Sequence, residues 1–150
     1  MSRTILYWKN ERADRGVDLP REHAVRFPGK EHYRLNVADL VTSKDLPTPQ
    51  DLLLAAFSSS HMLDFLELCA KNDLPVREYR DDAELLLNGD RRPGLKRVTL
   101  RPVITFGTAD SEVLRGRVLR LLHECLERSW LAAALSVPVQ LDPRLEFRPD

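Results

Sequence analysis

The apolar and polar positions of the chain are organised around one long helical pattern from Pro49 to Lys71. From Leu52 to Ser59 it is apolar or small on every side, which predicts a helix buried all round in that half. From Ser60 on, Ser60, Asp64, Glu67 and Lys71 recur at helical spacing as one polar stripe. Its start is marked three ways: Thr48 as N-cap, Pro49 at the first helical position, and Asp51 closing an approximate capping box. Its end falls near Lys71-Asn72-Asp73, with Pro75 just beyond. Ser60 and His61 therefore sit where a fully buried helix becomes half-exposed, and that junction is the natural place for a site.

The remaining patterns are shorter. Residues 3–9 read as a strand through Ile5, Leu6, Tyr7 and Trp8, and the charged stretch from Lys9 to Pro20, with Gly16, reads as a loop. His23 to Phe27 and Tyr33 to Val37 alternate on either side of Pro28-Gly29, which makes an antiparallel hairpin. Residues 38–47 connect to the long helix. Val76 to Leu87 and a strand over 96–106 flank turn residues at Asn88-Gly89-Asp90 and a basic loop with Pro93-Gly94. Pro102 inside the second of these argues for an edge position or a bulge.

A second helix opens at Thr108 to Glu112. Its apolar face is Val113, Leu114, Val118, Leu121, Leu122, Cys125, Leu126 and Trp130, and Gly116 weakens it by about 1 kcal/mol relative to alanine. Val137 to Leu141 and Arg144 to Phe147 close the chain as extended segments. Strands joined by hairpins with helices between them predict an α+β fold with a mainly antiparallel sheet, in a single domain over residues 1–150. A sheet covers only one side of a helix that is apolar all round. A second copy of the chain is the economical source of the other cover, so a homodimer is expected.

Composition narrows the function. The chain has 150 residues, 43% hydrophobic and 31% charged, with 23 basic and 23 acidic side chains, so no net field favours nucleic acid or an anionic membrane. No apolar run approaches the length of a membrane span and no signal segment opens the chain, which makes the cytoplasm the default compartment. Two cysteines, Cys69 and Cys125, are too few and too poorly placed for a disulfide framework or a zinc site, and read as small buried apolar residues. The four histidines lack metal-ligand spacing, so neither a metal nor another cofactor is expected.

Ser58-Ser59-Ser60-His61-Met62-Leu63, then Phe65-Leu66 and Leu68-Cys69-Ala70, resembles the central helix of the OsmC/Ohr family, the osmotically inducible and organic hydroperoxide resistance proteins. Leu19 to His23 with Arg26-Phe27, Lys96 to Pro102, and Glu127 to Ala132 with Val137-Pro138-Val139 resemble further family segments in the expected order. The resemblance, which runs from about residue 19 to 146, implies sheets wrapped around two long central helices in an intertwined homodimer. It also implies a thiol peroxidase of organic hydroperoxides in oxidative stress defence, with a peroxidatic and a resolving Cys, a Glu at the helix start and an activating Arg.

Position by position, the peroxidatic Cys matches Ser60, the resolving Cys matches Ser129, the Glu matches Gln50, and Arg21 stands for the Arg. The thiol cycle runs through a sulfenic acid and a disulfide, and a serine hydroxyl enters neither. With serine at both positions that cycle is closed at this site. Ser60 as a hydrolytic nucleophile lacks a base: His61 points about 100° away on a helix, and Asp64 is a poor base at neutral pH. What remains is a binding role for a small hydrophobic molecule in a pocket lined by Leu53, Phe57, Ser60, His61 and Trp130, with His61 a structural residue at the dimer interface. The alternative is a peroxidase that uses Cys69 or Cys125 in a new geometry, or a Cys-to-Ser form of an active one.

Overall fold

The computed structural model describes residues 2–9, 21–89 and 94–149. Most of the loop expected from Lys9 to Pro20, and the Asp90 and Pro93 ends of the later turn, lie outside the described residues. The chain divides into two compact units, residues 1–53 and 54–150.

In the first unit, β1 (Ile5–Tyr7), β2 (His23–Arg26) and β3 (Arg34–Val37) form an antiparallel sheet in that order. Leu6 pairs with Val25, and Val25 with Leu35. The hairpin expected between β2 and β3 forms, with Gly29 at φ +82°, a left-handed conformation that costs glycine nothing. Ala24, Val37 and Ala38 are buried, whereas β1 leaves Ile5, Leu6 and Tyr7 exposed.

The long helix α1 spans Pro49–Lys71. Its start closes as expected: the Thr48 N–H and hydroxyl each donate to Asp51 Oδ2 at 2.8 Å, and the Asp51 N–H donates to Thr48 Oγ1 at 3.2 Å. At the other end Asp73 takes a left-handed φ of 52°, and the Leu74 N–H reaches the Cys69 carbonyl at 3.0 Å, a Schellman closure with aspartate where glycine is usual.

Burial within one chain differs from the expectation for the first half of α1. The buried residues are Phe57, His61, Phe65 and Cys69, one stripe at i, i+4 spacing. Ala55, Ala56, Ser59 and Leu63 face outward. By length and mean hydropathy α1 meets the minimum for a bilayer-spanning helix, an apolar stretch longer than the sequence reading allowed. Its buried stripe, however, is already taken by the chain's own core.

In the second unit the two extended runs each break in the middle. Val76 to Leu87 becomes β4 (Val76–Asp81) and β5 (Glu84–Leu87), and the later run becomes β6 (Leu95–Leu100) and β7 (Pro102–Phe106). β4 pairs with β7 and β5 with β6, so one long hairpin bends from one sheet into another at Asp81 and Arg101. Pro102 is thus neither at an edge nor in a bulge. It is the buried first residue of β7, the central strand of its sheet, and at a strand start its missing N–H costs little.

After α2 (Glu112–Arg128) and the short α3 (Trp130–Leu135), β8 (Val139–Leu141) joins β6 and β9 (Arg144–Phe147) joins β7, both in parallel. The pairing is mainly antiparallel, with parallel closing strands. One core gathers Phe65 and Cys69 of α1, Val118, Leu122 and Cys125 of α2, and Ile104 and Phe106 of β7. A second joins Phe57, Val98, Leu100, Leu131 and Val137. Val113 and Trp130 do not belong to the apolar face of α2: they are 83% and 70% exposed.

Candidate functional site

Ser60 is half-buried on α1, and its hydroxyl makes no hydrogen bond among the described residues. Two positions earlier on the same helix, Ser58 is committed. Its hydroxyl donates to Asp81 Oδ2 at 2.6 Å, and Asp81 Oδ1 accepts the Arg101 backbone N–H at 2.7 Å. Asp81 therefore ties α1 to the bend between the two sheets.

His61 is buried inside the second unit. Nε2 lies 3.2 Å from the Leu122 carbonyl, which only accepts, so Nε2 carries the proton and Nδ1 accepts from the Tyr79 hydroxyl at 3.3 Å. Burial lowers its pKa below 6.5, against the opposing pull of the Leu122 hydrogen bond, Asp81 and Asp64. His61 is a neutral structural imidazole in the chain's own core rather than the lining of an open pocket. Phe57, 2% exposed, is likewise part of a packed core.

Ser129 has a local task. It ends α2 and begins α3, and its hydroxyl accepts the Ala132 N–H at 3.2 Å, which makes it the N-cap of α3. It is 4% exposed. The two thiols lie in the first core, and desolvation pushes the pKa of each up to about 12, helped for Cys69 by Cys125 and for Cys125 by Asp64 and Glu124. At neutral pH both are thiols, the form that does not attack peroxide.

The residues expected at the helix start and N-terminal region lie in the first unit. Gln50 is exposed on the first turn of α1, and its neighbour Asp51 makes the capping bonds. Arg21 Nη1 pairs with Asp39 Oδ2 at 2.6 Å. Hydrogen bonds from Thr42, its hydroxyl first and then its backbone N–H, together with Arg21 hold the Asp39 carboxyl down at about 2. Leu53, half-buried, closes that unit.

Of the side chains singled out for a pocket, Trp130 lines one. A cleft of about 180 Å³ is lined by Asp64, Glu67 and Lys71 of the α1 polar stripe, by Arg128 and Trp130, and by Leu68 and Cys125. Asp64, Glu67 and Lys71, a polar stripe by sequence, thus border a cavity. Trp130, the last residue of the second helical pattern, carried no sequence signal that it would face this stripe. Ser58, Tyr79 and Asp81 carried no signal either, because their partners are distant in sequence.

The fold matches solved structures over nearly the whole chain. An OsmC-like protein of unknown function from Vibrio cholerae O1 biovar eltor superposes with a TM-score of 0.82 at 23% identity, covering 95% of this chain and 98% of that one. The chain has the OsmC-like fold. An OsmC-like protein from Mycoplasma pneumoniae agrees at TM-score 0.73 and 11% identity, covering 97% of each chain. The organic hydroperoxide resistance protein OhrB of Bacillus subtilis agrees at 0.64 and 11%, covering 96% of this chain and 98% of that one. No family model and no curated protein matches the sequence. The OsmC-like architecture supports the family resemblance carried by residues 58–70.

Proposed function

We propose that this OsmC-like protein is a cytoplasmic homodimer related to the organic hydroperoxide peroxidases, that it does not run their thiol cycle, and that it binds a small apolar ligand between its two copies. The observation that carries this reading is the state of the sulfur and hydroxyl groups. Serines occupy both positions that the family resemblance matches to catalytic cysteines, and one of them, Ser129, caps α3. The remaining thiols are buried with their pKa pushed up to about 12. A buried neutral thiol lacks the thiolate that attacks oxygen and the access that a substrate needs.

The outward face of α1, with Ala55, Ala56, Ser59 and Leu63, supports the dimer: a second copy laid over it would remove apolar surface from water. Ser60, half-buried beside that face, would then border the space between copies.

Two measurements test the proposal. With cumene hydroperoxide and a dithiol reductant, consumption should not exceed the protein-free rate. Turnover that disappears in Cys69→Ser or Cys125→Ser refutes the loss of peroxidase chemistry. Sedimentation equilibrium at micromolar concentration should give twice the chain mass, and Leu63→Glu should shift it toward the monomer. A monomer throughout that range removes both the dimer and the ligand site between copies.

A further inference from the structure

We propose that the cleft beside the second half of α1 binds a small organic ammonium ion, with Asp64 as its counter-ion and the Trp130 ring as the face that receives the cation. The inference is independent of whether peroxidase chemistry has been lost.

Charge pairing in the cleft leaves one carboxylate over. Lys71 is paired with Glu67 one turn before it on the same helix, and Arg128 Nη1 with Glu124 Oε1 at 3.0 Å. Asp64 lines the same cavity, is half-buried, and has no ion pair or hydrogen bond among the described residues. Lys71 and Arg128, the two cations of the lining, are each paired with a glutamate. With Glu124 counted as the outside partner of Arg128, three carboxylates stand against two cations, and Asp64 is the carboxylate left without an ion pair among the described residues.

The aromatic wall is also without a partner. Trp130 is 70% exposed, and among the described residues the one cation over an aromatic ring is Arg115 on Phe147, far from this wall in the sequence. Indole is the strongest of the side-chain rings in attracting a cation. Leu68 and Cys125 add apolar lining, and the Cys125 thiol is uncharged. A bare metal ion fits poorly: among the described residues no group of three His, Cys, Asp or Glu side chains converges.

Size sets the class of ligand. A volume of about 180 Å³ lies below the roughly 300 Å³ at which drug-sized pockets begin. It suits a methylated or primary ammonium head with a short apolar or hydroxylated stem. An aromatic face and one carboxylate around a weakly hydrated cation is the arrangement that recognises such heads elsewhere.

The test uses choline and its neutral carbon isostere, 3,3-dimethylbutan-1-ol, titrated into the native protein by calorimetry at low ionic strength. Choline should saturate one site per chain at least tenfold more tightly than the alcohol. Asp64→Asn, which keeps shape and removes charge, and Trp130→Leu should each weaken choline at least tenfold while the unfolding midpoint stays at the native value. The comparison of the two probes needs no variant, so a variant that fails to fold leaves the test intact. Equal affinity for the alcohol, unchanged binding in Asp64→Asn, or no saturation of the native protein at 50 mM choline would overturn the proposal.

Discussion

The Ser129 hydroxyl accepts the Ala132 N–H at 3.2 Å, across the break between α2 and α3. That bond gives serine a reason to occupy a position where the family resemblance places a resolving cysteine. Ser129 is 4% exposed, so without the hydroxyl the Ala132 N–H would lose its side-chain acceptor in a poorly solvated place. Ser129→Ala should therefore cost about 1 kcal/mol, within the range for lost N-caps. Ser129→Cys should cost nearly as much, because sulfur is a weak acceptor. Urea unfolding of the two variants checks this. A cysteine variant as stable as the native protein would show that the cap is not what serine supplies.

The parts of this fold that were legible in the sequence are those fixed by neighbours. Thr48, Pro49 and Asp51 announce the start of α1 because a cap is made within four residues, and the structure closes the same box. The Pro28-Gly29 turn is local in the same sense. What stayed hidden depends on long-range partners. The alternation through Val98, Leu100, Ile104 and Phe106 continues across Arg101, so nothing in the pattern says that the strand changes sheets there. The deciding group is Asp81, twenty residues away. Ser129 was hidden for another reason: Leu131 keeps the apolar period going and disguises a helix start as a continuation. In the candidate site, the pattern found Trp130 and the polar stripe separately. Only the fold brings them to one cleft.

The two thiols provide a chemical probe of the core. Burial raises both pKa values to about 12, so at pH 8 almost no thiolate exists, and both residues are 1% exposed. Ellman's reagent should label fewer than one thiol per chain over an hour in native buffer, and two within seconds in 6 M guanidinium chloride. Fast labelling of one thiol in native buffer would point to Cys125, which borders the cleft, and would mean that the cleft opens.

Asp81 should be the costliest polar residue to lose. It accepts the Ser58 hydroxyl at 2.6 Å and the Arg101 N–H at 2.7 Å where the hairpin bends between sheets. Hydrogen bonds to a charged acceptor contribute roughly 1.5–3 kcal/mol each, less where solvent shares the site. Asp81→Ala should destabilise by about 2–3 kcal/mol. Asp81→Asn keeps an oxygen for Arg101 and should cost about 1 kcal/mol, as should Ser58→Ala. Chemical denaturation would rank the three. If Asp81→Ala proved no worse than Ser58→Ala, the Arg101 bond would contribute nothing to holding the bend.

His61 makes stability depend on pH, and the sign follows from its surroundings. Burial depresses its folded pKa below the 6.5 of a free imidazole, so between those values the unfolded chain binds a proton that the folded chain refuses. Stability from this group is complete above about pH 6.5 and is lost as the pH falls from there through the folded pKa. The slope in that window is at most about 1.4 kcal/mol per pH unit, the value for one proton. Protonation would also put a hydrogen on Nδ1, where the ring now accepts from the Tyr79 hydroxyl. His61→Gln places an amide N–H where Nε2 now donates to the Leu122 carbonyl, and it does not titrate. The variant should be less stable than the native protein at pH 7.5. Its urea midpoint should fall less between pH 7 and pH 5, because no depressed imidazole remains to be protonated on unfolding. Asp51, whose depressed carboxyl acts below pH 3.8, does not disturb that comparison. Equal slopes for the two proteins would mean that the folded state accepts the proton on His61 as readily as the unfolded chain does.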